Sequence, residues 1–165
     1  MILISACLAG SNVKYNGGNN AVPWLCRWIG RHKEQVLLVC PEVLGGLPVP
    51  RLPAEIQFRE AAPGAILKNR RVINKAGEDV TAQFLLGAEK VLELVEHHHI
   101  TLAIMKANSP SCSGYCIYDG TFSGRRIAGQ GITAALLTEH GVKVYSEEML
   151  TPEVLKKLLK IHCKT

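Results

Sequence analysis

Four short apolar runs, separated by longer segments with helical periodicity, constrain the fold of this chain more than any other feature. They cover Ile2–Ser5, Val36–Val39, Leu102–Met105 and Val142–Tyr145. Continuous apolar runs of about four residues are typical of strands that are buried on both faces, as in a parallel sheet. They are far too short to cross a membrane, which takes roughly 20 apolar residues. The chain is therefore predicted to fold around a buried sheet.

Amphipathic segments lie between these runs. The spacing of apolar residues predicts helices over about Asn19–His32, from Asp79 or Thr81 to about Glu96, over Ile132–His140 and from Pro152 onward. This order of elements predicts an α/β fold with a mostly parallel sheet and helices on both faces, a Rossmann-like three-layer sandwich. With 165 residues, no internal repeat and no linker, residues 1–165 are predicted to form one domain.

Three stretches do not fit this alternation. Residues 40–53 contain four prolines and two glycines, which exclude a long helix or an interior strand and predict a stiff, functional loop. Residues 66–73 are predicted to form a small hairpin around Asn69-Arg70. Residues 106–130, rich in glycine and serine, are predicted to form a long polar loop.

The net charge and the composition of the chain indicate which class of ligand it binds. Lys and Arg number 19 against 14 Asp and Glu, a net charge of +5, and aromatic residues make up only 5%. Because the basic residues are scattered and aromatics are few, we expect a small polar or anionic ligand rather than nucleic acid. Met1 leads directly into the first apolar run without a basic, then apolar, leader, so a cytoplasmic protein is expected. The sequence does not predict an oligomeric state.

Six cysteines occur in this chain, and in a reducing compartment they are not expected to form disulfides. Cys7 and Cys40 directly follow the first two apolar runs, and Cys112 follows the third after a short loop. The carboxyl ends of parallel strands lie at one edge of a sheet, so these three thiols are predicted to converge. They are either small buried hydrophobic residues or ligands of zinc or an iron–sulfur cluster.

The spacing of the cysteines leaves the choice of metal open. Structural zinc usually takes four ligands, often in C-x2-C pairs, and the chain has no such pair; Cys112 and Cys116 are separated by three residues. A cluster held by three cysteines would leave one iron open to act as a Lewis acid. Polar residues near the thiols, Glu42 and Ser109 among them, favour a chemical over a purely structural role.

Three other groups of residues are not expected to take part in the chemistry of the site. Cys26 falls among the apolar positions of the first helix and is predicted to be a core residue. Cys163 lies near the end of the chain and is predicted to be inert. His97–His99 point in different directions on a helix, so we expect them to serve the helix carboxyl end rather than one metal ion.

Several motifs in fixed order resemble a known family. They are Ser-Ala-Cys-Leu-Ala-Gly at 5–10, Cys-Pro-Glu-Val-Leu-Gly-Gly-Leu-Pro at 40–48, Ser-Pro-Ser-Cys at 109–112, Tyr-Asp-Gly-Thr-Phe-Ser-Gly at 118–124 and Gly-Gln-Gly-Ile-Thr at 129–133. Together they resemble the domain-of-unknown-function 523 family, which includes thiouracil desulfidases. The resemblance extends from residue 2 to about residue 150. The chain departs from the family pattern at Val13, where a further cysteine is frequent, and at Ser113, where glycine is usual.

The resemblance implies an iron–sulfur enzyme. It implies a [4Fe–4S] cluster with three cysteine ligands, Cys7, Cys40 and Cys112, whose open iron accepts the sulfur of the substrate. It also implies that Glu42 and Ser109 assist catalysis. The expected reaction removes sulfur from a small thiolated heterocycle such as a thiouracil and releases hydrosulfide without net redox change.

Two alternatives accompany this prediction. One is a sensor module in which an exposed cluster reports iron or oxygen status. The other is a metal-free nucleotide-binding domain that would use Gly129–Thr133, because the amino terminus of a helix can hold an anion.

Overall fold

A computed structural model describes residues 1–58 and 70–162 of the chain. In chain order the elements are β1 (Ile2–Ser5), α1 (Pro23–Arg31), β2 (Val36–Val39), α2 (Pro41–Leu44), β3 (Ala54–Phe58), β4 (Arg70–Asn74), α3 (Thr81–His97), β5 (Leu102–Met105), β6 (Cys116–Tyr118), β7 (Arg126–Ala128), α4 (Ile132–Glu139), β8 (Lys143–Ser146) and α5 (Pro152–His162). None of the helices in the described ranges is both long and apolar enough to cross a membrane.

The four apolar runs form one parallel sheet, in the order β2-β1-β5-β8. Leu3 in β1 is paired with Leu37 in β2 and with Ala103 in β5. The strand order reverses between β1 and β5, because β2 lies on one side of β1 and the later strands lie on the other. In sheets of this kind, ligands bind outside the carboxyl ends of the strands at the point of reversal.

Helices cover both faces of the sheet, because successive residues of each strand point to opposite sides. On one face, α3 and α4 pack on alternate strand residues; this core includes Leu3, Ala103, Met105, Val91, Val95, Ala134 and Leu137. On the other face, α1 and α5 pack on the residues between them, and this core includes Ile2, Ile4, Leu102, Ile104, Leu25, Leu155 and Leu158. The predicted α/β fold with a parallel sheet and helices on both faces is confirmed.

Two antiparallel hairpins lie outside this sheet, and both correct the sequence analysis. Arg70 does not form a turn; it begins β4 and pairs with Phe58 of β3, while positions 66–69 of the predicted hairpin lie outside the described residues. The predicted loop 106–130 contains the β6–β7 hairpin. Its three-residue strands are too short for a periodic pattern, and Arg126 and Ala128 are exposed, so little apolar signal marks them.

A third apolar cluster attaches both hairpins to the helical layer. It joins β3, β4 and β6 to α3 and α4 through Ile56, Val72, Phe84, Ala88, Ile117 and Ile132. The other boundaries differ little from the predicted ones. The α1 helix begins at Pro23 instead of Asn19, since proline fits the first turn of a helix. The α3 helix ends at His97, so the three histidines lie at its carboxyl end as predicted.

The short helix α2 is packed backbone to backbone against α3. A Cβ atom added to Gly87 would lie 2.0 Å from the carbonyl oxygen of Pro41, and one added to Gly45 would lie 1.9 Å from the carbonyl oxygen of Gln83. No side chain fits at this contact. The two glycines therefore allow α2 to approach α3, and this approach determines where Cys40 and Glu42 lie.

Replacing Gly87 by alanine is expected to destabilise the protein by about 1–3 kcal/mol, because the new methyl group would push α2 away from α3. The free energy of unfolding, measured by urea denaturation, tests this. Gly30→Ala is the matched control: Gly30 is in α1 and has open space around it, so alanine there is expected to raise helix stability by up to about 1 kcal/mol. Equal stability of the Gly87→Ala and wild-type proteins would contradict the contact.

Candidate active site

The first thiol is positioned by the turn that follows β1. Residues Ala6–Ala9 form a single 3-10 turn, which Gly10 closes in a left-handed conformation with φ of 94°. Cys7 is half-buried in this turn, and its carbonyl oxygen accepts the N–H of Asn20 at 2.9 Å. Burial raises the pKa of the Cys7 thiol, and the side chain of Asn20 partly offsets this increase. The segment before α1 thus contributes a polar group near the sulfur.

The second thiol lies at the amino terminus of α2. Cys40 is the residue between β2 and Pro41; burial raises the pKa of its thiol, and the backbone N–H groups of Val43 and Glu42 partly offset this increase. Its Sγ atom lies 3.8 Å from the carbonyl oxygen of Val13. Backbone N–H groups at a helix start favour a thiolate. The proline that follows Cys40 begins the helix, so Glu42 falls in its first turn.

The third thiol lies in a tight loop after β5. The hydroxyl oxygen of Ser109 accepts the backbone N–H groups of Ser111 at 3.1 Å and Cys112 at 3.0 Å. Cys112 is buried, which raises the pKa of its thiol, and the Ser5 hydroxyl at the end of β1 partly offsets this increase. Ser109 therefore has a defined structural task, since it holds the loop that presents Cys112.

The amino terminus of α4 is attached to the same loop. Its first N–H groups, from Ile132 and Thr133, donate to the carbonyl oxygens of Pro110 at 2.9 Å and Ser111 at 3.0 Å. Gly131 is required here, because a Cβ would lie 2.5 Å from the Ser111 oxygen. These donors are occupied by the loop, so they are not free for an anion. The suggested nucleotide site at Gly129–Thr133 is not supported by this arrangement.

All five predicted site residues line one cavity of about 490 Å³ at the carboxyl ends of the strands. They are Cys7, Cys40, Glu42, Ser109 and Cys112. The volume is in the range of small-molecule sites, roughly 300–1,000 Å³. Cys26 and Cys116 are half-buried and do not line the cavity; the Cys26 thiol lies 3.5 Å from the carbonyl oxygen of Leu8. Cys163 lies outside the described residues.

The three thiols share one electrostatic environment. Burial raises the pKa of each of them, most strongly that of Cys112. A charge on Cys7, Glu42 or Cys40 would raise the pKa of Cys112 further, and a charge on Cys40 would raise that of Cys7. Without a cationic centre, the thiols therefore favour the protonated form. Binding of a metal group would displace these protons.

The ligand type at the cavity is the one that iron–sulfur clusters take. Cys7, Cys40 and Cys112 line the same cavity, and such clusters are held by cysteine thiolates. Among residues 1–58 and 70–162, no group of three or more His, Cys, Asp and Glu side chains is spaced to hold a single metal ion.

Glu42 is held by an ion pair that the sequence analysis did not predict. Its Oε2 atom accepts the Nε–H of Arg51 at 2.7 Å, and the two side chains are only 15% and 7% exposed. The other Arg51 nitrogens donate to the carbonyl oxygens of Pro48 at 3.2 Å and Val13 at 3.1 Å. Arg51 thereby links the proline-rich loop, the Val13 segment and Glu42 into one wall of the cavity.

Comparison with known proteins identifies the family. The sequence model of the 2-thiouracil desulfurase family matches residues 2–149. The chain belongs to this family. The expected desulfidase activity is thus confirmed at the level of the family.

Two relatives of this desulfurase family member are informative. A solved structure of a [4Fe-4S]-dependent thiouracil desulfidase, TudS (DUF523Vcz), is similar with 42% identity and a TM-score of 0.80, over 95% of this chain and 96% of that one. An uncharacterised Bacillus subtilis protein, YbbK, is 40% identical over 150 residues, 91% of this chain and 97% of its own. The resemblance to the domain-of-unknown-function 523 family is confirmed.

A second ion pair lies close to the point where the strand order of the sheet reverses. Lys106 directly follows β5, lines the cavity and pairs with Glu147, which lies just beyond β8. The other carboxylate oxygen of Glu147 accepts the N–H of Ala107 at 2.7 Å. The charge on Lys106 partly offsets the rise in the Cys7 pKa. The sequence could have indicated Lys106 as a site residue only through its position at a strand end. Its ion-pair partner could not be found in this way, because it is 41 residues away.

Proposed function

We propose that this chain removes the sulfur of a thiolated pyrimidine such as 2-thiouracil. Water adds its oxygen to the thiocarbonyl carbon, the C–S bond breaks, and the products are the corresponding oxo-pyrimidine and hydrosulfide. No electrons are gained or lost overall. In this proposal Cys7, Cys40 and Cys112 hold a [4Fe–4S] cluster, Glu42 is the general base and Ser109 orients the substrate.

The observation that carries the proposal is the convergence of these five residues on one cavity. They come from the ends of three strands that are far apart in sequence, and they meet where an α/β sheet usually binds its ligand. The desulfurase family model spans the same residues. A purely structural set of thiols would not explain a carboxylate and a hydroxyl in the same cavity.

Each of the three cysteines has a neighbouring polar group that favours the thiolate, as a cluster ligand requires. These groups, which lower the pKa of the thiols against the larger increase caused by burial, are the Asn20 side chain, the backbone N–H groups of α2 and the Ser5 hydroxyl. Hydrogen bonds to ligating sulfurs are a main means by which proteins tune such groups. When bound, the cluster supplies a soft Lewis acid for the thiocarbonyl sulfur.

In this proposal Glu42 takes a proton from water. Arg51 holds its Oε2 atom, and within the described residues Oε1 forms no hydrogen bond. The carboxylate is therefore oriented by one oxygen and free to accept a proton at the other. Pro41 and the α2–α3 contact make its backbone rigid, which is what a general base requires to meet a bound water at hydrogen-bond distance.

Ser109 acts as a donor in this proposal. Its hydroxyl oxygen already accepts two backbone N–H groups, which occupy both of its lone pairs. Its own O–H remains available and can donate to an acceptor atom of the ring. Ser109 is therefore suited to orienting substrate and unsuited to removing a proton.

Activity is expected to depend strictly on the cluster. Protein purified and reconstituted without oxygen should contain iron and acid-labile sulfide and should release sulfide from 2-thiouracil, whereas chelator-treated protein should release none. Sulfide release and uracil formation, measured on the same sample, should be equal. Turnover at the same rate by the chelator-treated protein would contradict the proposal, and a cluster-loaded protein without turnover would favour the sensor alternative.

A further inference from the structure

One turn at the cavity is held in an unusual backbone conformation. Phe122 has φ of 56°, in the left-handed region that bulky side chains rarely adopt. It lies between two glycines that also have positive φ, Gly120 at 87° and Gly124 at 81°. Phe122, Gly124 and the preceding Tyr118 all line the cavity. Such strained residues persist only where surrounding contacts enforce them, and they cluster at ligand sites.

A buried carboxylate enforces this conformation. Glu55, in β3, is only 7% exposed, and its Oε2 atom accepts the backbone N–H groups of both Gly120 and Phe122 at 3.0 Å. The neighbouring Gln57 side chain donates to the Gly120 carbonyl oxygen at 3.2 Å. A Cβ at Gly120 would lie 2.7 Å from the Ile56 oxygen, so the turn lies directly on the backbone of β3.

This arrangement is more elaborate than closing a hairpin requires. The β6–β7 strands already pair with each other, and the turn between them has internal hydrogen bonds from Thr121 to Asp119. A charge buried only to accept two N–H groups is costly unless the resulting conformation is needed. What the conformation achieves is a fixed, half-buried aromatic side chain at the cavity.

We propose that Phe122 is a substrate-binding residue whose ring stacks on the flat heterocycle of the substrate, and that Glu55 is the positioning residue that holds it there. The inference rests on the proposed function, because it takes the ligand to be a thiolated pyrimidine. A planar ring on a rigid aromatic side chain is bound through its face, whichever atoms carry sulfur or oxygen. Phe122 thus contributes to binding of substrate and product alike, whereas the proposed role of Glu42 is in the cleavage of the C–S bond and that of the thiols is to hold the cluster.

Uracil, which is the product and is not consumed, tests the stacking directly. For the cluster-loaded protein, Phe122→Ala is expected to raise both the Kd for uracil and the Michaelis constant for thiouracil by about tenfold. Its kcat should stay within about twofold of the wild-type value, because the ring binds ground state and transition state equally. Phe122→Tyr should behave as wild type. Phe58→Ala is the matched control, since Phe58 is exposed and does not line the cavity.

The role of Glu55 is tested by a double-mutant cycle. Glu55→Ala, which removes the acceptor of the Gly120 and Phe122 N–H groups, should raise the Kd for uracil in the wild-type background and have no further effect in the Phe122→Ala background, because a positioning residue acts only through the ring it positions. Additive effects would show that Glu55 acts independently of Phe122. Phe122→Gly separates binding from folding: glycine relieves the left-handed strain, so thermal stability should be kept while the Kd for uracil rises at least as much as in Phe122→Ala.

Two failures are distinguishable. If wild-type protein turns over thiouracil but Phe122→Ala keeps the wild-type Kd and Michaelis constant, this inference is wrong and the proposed function stands. If the cluster-loaded wild-type protein neither binds uracil nor releases sulfide, both the proposed function and this inference are wrong.

Discussion

Cys112→Ser is expected to abolish cluster binding and, with it, desulfurating activity. Cys112 is the most deeply buried of the three cavity thiols, and the loop that carries it is held by Ser109 and by the amino terminus of α4. A serine hydroxyl is a much poorer iron ligand than a thiolate, and two remaining thiols would hold a cluster weakly. Even loss of an outer partner of a metal ligand weakens binding about 10- to 100-fold, so loss of the ligand itself should leave essentially no iron.

Cys116→Ser provides the matched control. Cys116 is four residues away in β6, is half-buried and does not line the cavity. Iron and sulfide content per chain after anaerobic reconstitution, with the absorption spectrum of the cluster, should be unchanged in this variant. A Cys116→Ser protein that lost its iron while Cys112→Ser kept it would overturn the ligand assignment. Thermal unfolding of the metal-free proteins checks that both variants fold.

Glu42→Gln is expected to lower kcat by about 10²- to 10⁴-fold at unchanged iron content. Glutamine has nearly the same shape, and its amide oxygen can still accept the Nε–H of Arg51. It lacks a basic carboxylate, so it cannot take the proton of the attacking water. The measurement is the rate of sulfide release from 2-thiouracil at saturating substrate, normalised to iron. Equal rates for variant and wild type would remove Glu42 from the mechanism.

The ion pair with Arg51 calls for a second variant in this experiment. Removing one partner of a largely buried pair leaves the other uncompensated and destabilises a protein, which could itself reduce activity. Arg51→Gln breaks the same pair but keeps the carboxylate of Glu42. If Glu42 is the base, Arg51→Gln should retain far more activity than Glu42→Gln. A similar loss in both variants, with lowered thermal stability, would assign Glu42 a structural role only.

The positions of the thiols could be predicted because they depend on local signals. Each apolar run of four marks a strand of the central sheet; Cys40 directly follows β2, and Cys7 follows β1 after one residue. In a parallel sheet all carboxyl ends lie at one edge, so residues that follow strands converge whatever the strand order. The same reasoning does not apply to Cys26 in α1 or Cys116 in β6, and neither lines the cavity.

The hairpins and ion pairs could not be predicted, because they depend on partners distant in sequence. Glu55 reads as an ordinary polar residue of a strand, and nothing near it indicates that it accepts N–H groups 65 and 67 residues away. Lys106 and Glu147 are paired only because β5 and β8 are neighbours. Arg51 is nine residues from Glu42, but their contact requires the proline-rich loop to fold back on α2.

Local sequence signals were thus enough to define the class of fold, the edge of the sheet where the cavity lies and the three thiols that line it. Apolar runs and helical periodicity are properties of neighbouring residues, and the edge follows from the parallel strand direction. Packing in three dimensions was needed to establish how Glu42 is oriented, how Ser109 holds the loop of Cys112 and how Phe122 is held at the cavity. Each of these depends on hydrogen bonds of about 3 Å between groups whose separation is set by how strands, helices and loops pack together.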